Sequence, residues 1–245
     1  MIYDRLEQRH PVYGLRLVFM PGTDQSEFSI VLTDQSQSRE WIAPAVATFI
    51  VRELVEDYAE HPDYLDKINW YFLPSANPDG YQYSWEHDRL WRKTRSDHGS
   101  ILGCKGVDPN RNWGFHWAES GSNEVKSKTE FLKKFVIGVS HQKCGETYCG
   151  PEAFSEPEMR NIRDFVQSLQ PVPVLGHCFH SYSQLWLWPY GYGYNAYPEN
   201  YEEIRQLAID ASDALGQVHG TVFDPINSAD LCNIEFIYLS TYFLK

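Results

Sequence analysis

The sequence predicts an α/β fold, and three observations carry that prediction. A helical period of apolar residues runs through residues 42–58, 155–169 and 200–218. A two-residue alternation marks residues 68–74 between the first two of these, so helical and extended segments alternate. No internal repeat or low-complexity stretch divides the 245 residues, a length that suits one domain with a sizeable core.

Each element follows from local pattern. In "IAPAVATFIVRELVEDY" the residues Ile42, Val46, Ile50, Leu54 and Tyr58 recur at steps of four, and Pro44 suits a first helical turn. "INWYFLP" places Ile68, Trp70 and Phe72 on one face of a strand. "SEPEMRNIRDFVQSL" opens with Ser155 and Glu158 at capping-box spacing and continues with Met159, Ile162, Val166 and Leu169 on one helical face. "VPVLGHCFHSYSQLWLW" reads as buried strands, and residues 200–218 as a helix with Ile204, Leu207, Ala211 and Leu215 inward. Two segments fit less well. Residues 120–142 carry four lysines in a short run and read as an inserted loop. Residues 232–245, rich in β-branched and aromatic side chains without Gly or Pro, have the makings of a sticky strand.

Composition narrows the functional classes. A net charge of −12 argues against a nucleic-acid partner, which needs a basic face. No apolar run approaches the roughly 20 residues of a membrane span. The opening "MIYDRLEQRHPVYG" has no basic segment followed by an apolar one, so no secretion signal is expected in this chain. Five cysteines cannot all pair internally.

The chemistry lies in a series of short motifs: "SREW" from Ser38, "NPDGY" from Asn77, "RLWRKTRS" from Arg89, "DPNRNWGFHW" from Asp108, "ETYCGPEAFSEPE" from Glu146 and "HSYSQLWLWPYGY" from His180. Singly these are weak. In this order they resemble the zinc metallocarboxypeptidases of the pancreatic carboxypeptidase A/B type, from about Tyr13 to Leu231 with breaks. The resemblance implies a mixed, twisted β-sheet with helices on both faces, with the C-terminal part of that fold missing. Residues 13–231 would form a partial catalytic domain, 1–12 a residual N-terminal helix and 232–245 an unrelated tail.

It also implies hydrolysis of C-terminal residues from peptides by zinc-bound water. Such a zinc needs three protein ligands and an open position. Glu40 and His180 match two of the family's ligands, but Gln37 stands where the first histidine belongs. Its neutral amide oxygen is a poorer zinc ligand than imidazole, so weak zinc binding is expected. Among substitutes, His177 is an odd number of residues from His180 and should face the other side of a strand. Cys178 shares the face of His180 but lies deeper, and His116 belongs near the site without touching the metal.

By the same resemblance, Asn110 and Arg111 bind the terminal carboxylate, a task suited to the paired N–H groups of arginine. Arg92 polarises the scissile carbonyl and stabilises its oxyanion, and Arg39 and Tyr182 line the neighbouring subsite. The family's general-base glutamate and mobile tyrosine find no match: Cys232 stands near the tyrosine's place, and Glu235 lies too early in an unrelated context. The pocket segment that sets side-chain preference is lost with them. Cys104 and Cys144 match a bridged pair, which points to an extracellular ancestry. The expectation is a monomer that meets peptide or protein C-termini, with hydrolysis absent or strongly impaired. The alternatives are a non-catalytic binder of peptide C-termini and a defective splicing or frameshift product.

Overall fold

The computed structural model describes residues 15–17, 28–33, 37–119, 138–170, 172–233 and 240–242. The expected N-terminal helix at 1–12, most of the expected insertion at 120–142, and Glu235 lie outside them. The described strands are β1 (Leu15–Leu17), β2 (Phe28–Thr33), β3 (Ile68–Leu73), β4 (Leu175–Cys178), β5 (Leu185–Trp188), β6 (Asp224–Asn227) and β7 (Ser240–Tyr242). They form one sheet in the order β1-β3-β2-β4-β7-β5-β6. β3, β2 and β4 are parallel neighbours, β1 runs antiparallel to β3, and β7 runs antiparallel to β4. The sheet is therefore mixed, as expected. Residues 240–242, read from sequence as part of a foreign tail, pair with β4 and β5.

Helices cover both faces. Helix α1 (Ile42–Glu56) packs Ala47, Ile50, Val51 and Leu54 against Ile30, Trp70 and Phe72. The other face meets α4 (Pro157–Ser168), where Met159, Ile162 and Phe165 pack on Val31, Tyr71 and Leu73. Strand β3 thus buries side chains in both directions. Its alternation at 68–72 describes only one of two cores, because a central strand between two helical layers has no solvent face. A short helix α2 (Asp63–Asp66), α3 (Pro78–Glu86) and α5 (Tyr201–His219) complete the set, with Ile204 and Ala208 of α5 against Trp186 and Trp188.

Three expectations are corrected. Ile42 is 57% exposed, and Ala43 and Ala47 set the buried phase of α1. At 3.6 residues per turn each four-residue step overshoots by about 40°, so a row of four steps drifts about 160° and cannot stay on one face. In α5 the buried row is Ile204, Ala208 and Ser212, while Leu207 and Leu215 are 40% exposed. The Ser155 capping box does not form. Glu156 is the N-cap, without a side-chain cap, and Ser155 Oγ instead accepts from Asn112 Nδ2 and donates to Glu156.

Candidate metal and carboxylate-binding site

At the C-terminal ends of three adjacent parallel strands, the chain leaving β3 and the chain leaving β4 both meet the turn that follows β2. This is where open α/β sheets bind ligands. β2 leads to Gln37 and Glu40, β3 to Asn77, and β4 to His180. Glu40 N donates to Gln37 O at 3.1 Å, a turn from which Gln37 reaches Asp108 and Glu40 reaches His180, and Glu40 O then accepts from Ala43 N to start α1.

His180 Nδ1 lies 2.8 Å from Glu40 Oε2, with both side chains 2% exposed. Burial alone would lower the pKa of His180. The adjacent Cys178 and Glu40 outweigh it, and the imidazole is raised well above its usual value. Cys178 Sγ is 3.4 Å from Nε2 of the same ring. Sulfur and carboxylate therefore address opposite nitrogens, and Cys178 is not placed to join Glu40 and His180 Nδ1 on one ion. His177 packs its ring against Phe179 and Trp186, and burial pushes it down to about 3, with the charge of His180 adding to the effect. His116 stacks on Tyr192 and pairs with Glu119.

Asp108 is the hub that sequence reasoning missed. Its Oδ2 accepts from Nε and Nη2 of Arg92 at 2.9 and 2.8 Å. Its Oδ1 accepts from Gln37 Nε2 at 3.3 Å and from Asn110 N at 3.1 Å. Burial would raise the Asp108 carboxyl, but the charges of Arg92 and Arg111 hold it below its usual value. The signal that could have found it is the D-P-N-R sequence itself. Asp108 caps the 3₁₀ turn Pro109–Arg111, with Pro109 at the first helical position, so its carboxylate must turn inward over Asn110 N.

Local backbone explains how Arg92 reaches this carboxylate. Segments 92–96 and 106–108 pair through Thr94 N to Val107 O at 2.9 Å and Gly106 N to Ser96 O at 2.8 Å. Beyond them the Cys104–Cys144 disulfide, Cα–Cα 5.2 Å, closes the loop as expected. The "NPDGY" motif braces the same segment from behind. Asn77 caps α3 by accepting from Gly80 N at 3.0 Å, and its Nδ2 donates to Ser38 Oγ and Lys93 O. Gly80 is required by close approach, since a Cβ there would meet Ser38 Oγ at 2.1 Å and Lys93 O at 2.6 Å.

The other expected residues border this centre. Asn110 and Arg111 sit on the Asp108 turn, with Arg111 Nη1 donating to Asn110 O at 3.0 Å. Arg39 lies between Gln37 and Glu40 in the chain, 3.8 Å from Glu146. Tyr182 follows His180 and is 59% exposed. A second cluster gathers on the buried Glu156 carboxylate, to which Thr94, Ser96 and Ser155 donate and which His98 meets at 2.8 Å. Ser96 and Glu156 share one nitrogen of His98, so no proton relay runs through the ring.

Gln37 Oε1 and Glu40 Oε1 are buried and have no hydrogen-bond partner among the described residues. Unpaired buried acceptors are costly, and Glu40 Oε1 belongs to the carboxylate whose other oxygen meets His180 Nδ1, where a cation is one way to satisfy it. The residues fit a divalent ion through one nitrogen and two oxygen donors. No group of three His, Cys, Asp or Glu that could hold a metal is found among the described residues.

Fold and site define an α/β protein built around a buried carboxylate–imidazole pair and a buried arginine–aspartate pair at the C-terminal ends of its parallel strands. The chain belongs to the zinc carboxypeptidase family, whose profile matches residues 8–241. It is 46% identical to carboxypeptidase B of Astacus astacus over 187 residues, 76% of this chain and 56% of that protein. It is 36% identical to zinc carboxypeptidase A 1 of Anopheles gambiae over 241 residues, 96% of this chain and 50% of that protein. Among solved structures, thrombin activatable fibrinolysis inhibitor superposes with a TM-score of 0.82 at 25% identity, covering 98% of this chain and 59% of that one. Carboxypeptidase A from Helicoverpa armigera superposes with a TM-score of 0.78 at 27% identity, covering 91% and 51%. The chain spans about half the length of the curated relatives it matches. No helix among the described residues is long and apolar enough to cross a membrane.

Proposed function

We propose that this chain recognises the C-terminal carboxylate of peptides and hydrolyses the adjoining bond poorly or not at all. Arg111 and Asn110 hold the carboxylate, and Arg92 faces the carbonyl of the last peptide bond. Arg39 and Tyr182 contact the residue before it. Glu40 and His180 hold a zinc ion, with Gln37 in the third place. When bound, the metal supplies a polarised water and a Lewis acid for the carbonyl. The observation that carries the reading is the Asp108 hub, which orients Arg92 and Gln37 from one buried carboxylate. That orientation needs no metal, so carboxylate recognition persists where hydrolysis fails. The family's extracellular setting agrees with the Cys104–Cys144 bridge, since disulfides persist in oxidising compartments.

The test compares a fluorescent peptide with a free C-terminus and its C-terminal amide, on the chain and on Arg111→Gln. The free acid should bind about tenfold tighter or better, an arginine–carboxylate pair being a charge-assisted contact, and Arg111→Gln should abolish the difference. Equal binding of acid and amide overturns the reading. Chelator-sensitive release of C-terminal residues by the unmodified chain overturns the impairment.

A further inference from the structure

Gln37 is placed as a metal ligand would be. A metal-binding histidine gives one nitrogen to the ion and donates the other N–H to a carboxylate, which fixes the ring. Gln37 reproduces the outer half of this arrangement, because its Nε2 donates to Asp108 Oδ1 at 3.3 Å. An ionised carboxylate only accepts, so the amide cannot be reversed without facing acceptor to acceptor. Gln37 Oε1 is therefore the atom turned away from Asp108. It is buried and has no partner among the described residues, as is Glu40 Oε1, three residues on in the same turn. The remaining Glu40 oxygen lies 2.8 Å from His180 Nδ1.

We infer that Gln37 Oε1, the Glu40 carboxylate and His180 Nδ1 form an oxygen-rich divalent-cation site that separates zinc from manganese far less than the same site with a second imidazole. The inference rests on the proposed function only in taking a metal to visit this position; the donor set is the chain's own. Imidazole suits zinc, whereas carboxylate and carbonyl oxygens suit harder ions such as manganese. Exchanging one imidazole nitrogen for a neutral amide oxygen withdraws support from zinc more than from manganese. Zinc still precedes manganese at any nitrogen–oxygen site in the general affinity order, so the consequence lies in the ratio of the two affinities. The soft donor nearby does not restore that ratio, because Cys178 meets the opposite nitrogen of His180.

The metal-free 245-residue chain, Gln37→His and Gln37→Ala are titrated with zinc chloride against a chromophoric chelator and with manganese chloride by electron paramagnetic resonance. Gln37→His should raise zinc affinity by about 10–100-fold, the scale on which even outer-sphere changes act, and manganese affinity by a smaller factor. Gln37→Ala should weaken both ions. Equal gains for the two ions in Gln37→His, unchanged manganese binding in Gln37→Ala, or no saturable manganese binding by the wild-type chain overturns the inference. If a variant does not fold, the zinc-to-manganese affinity ratio of the wild-type chain decides, and a ratio as large as that of a site with two imidazoles and one carboxylate overturns the inference. Peptide binding is read separately, so loss of acid-over-amide preference sinks the proposed function and leaves the metal ratio standing, and the reverse holds.

Discussion

Replacing Asp108 by asparagine should cost more than any other single isosteric change in the cleft, and the structure gives the size. The Arg92 side chain is 4% exposed and that of Asp108 is 0% exposed, and two N–H groups of one converge on one oxygen of the other. Removing the charge from one member of such a pair leaves the other buried and uncompensated, a loss of about 3–5 kcal/mol. Asparagine cannot relieve this by turning. With its NH₂ toward Arg92 it sets donor against donors. With its NH₂ toward Gln37 it faces the Gln37 amide and Asn110 N, both donors now. The cheaper arrangement keeps the oxygen on Arg92 and reverses the Gln37 amide, which turns Nε2 into the metal position and costs metal binding as well.

At roughly 2–4 °C per kcal/mol for a domain of this size, Asp108→Asn should melt on the order of 10 °C lower and lose saturable metal uptake. The pH dependence has a fixed sign. The folded-state pKa of Asp108 lies below its unfolded value, so the contribution is fully present above about pH 4, near the unfolded aspartate value. It is lost as pH falls through the lower folded-state value. Thermal melts of wild type and variant from pH 3 to 8 check this. A difference under about 2 °C at neutral pH, or one that narrows between pH 5 and 8, would refute the reasoning.

Two further outcomes are expected. Gly80→Ala should destabilise by about 1–3 kcal/mol through the clash with Ser38 Oγ and Lys93 O, although helix propensity alone would stabilise by about 1 kcal/mol; denaturant unfolding gives the sign, and a gain sinks the close-packing argument. Opening the Cys104–Cys144 bridge, which spans a sequence separation of 40, should cost about 4 kcal/mol in the chain-entropy account; a Cys104→Ser, Cys144→Ser double variant that melts like wild type contradicts it.

Much of this was legible in the sequence because it rests on spacing. The motif around Glu40, the HSYSQ segment and the two bridging cysteines each place a residue relative to a turn or strand end, and the structure brings Glu40 to His180 and Cys104 to Cys144. What escaped depends on contacts between distant segments. Nothing local to Ile42 shows that Ala43 and Ala47 lie closest to the sheet. Ser155 was read as a cap because its capping-box spacing is correct, yet its hydroxyl is claimed by Asn112 and Glu156, and Asn112 is 43 residues away. Asp108 appeared as one letter of a motif, and its importance comes from Gln37, 71 residues distant, and Arg92, 16 residues distant.

The same distances explain why one substitution can divide the site into two parts. A side chain at position 37 has to fill a slot closed to solvent and give a hydrogen to Asp108 Oδ1, or that oxygen loses a bond in a place water does not reach. Glutamine meets both demands, as an apolar residue of the same volume would not. Asp108 therefore keeps its orientation, and Arg92, gripped by the other oxygen, keeps its own. The Arg92 side of the site is fixed by protein–protein hydrogen bonds. The Glu40 side, where a metal is proposed, is left with one nitrogen and two unsatisfied oxygens. On the proposed function, position 37 would then weaken metal binding without disturbing Arg92, because glutamine still gives Asp108 the hydrogen bond that holds it.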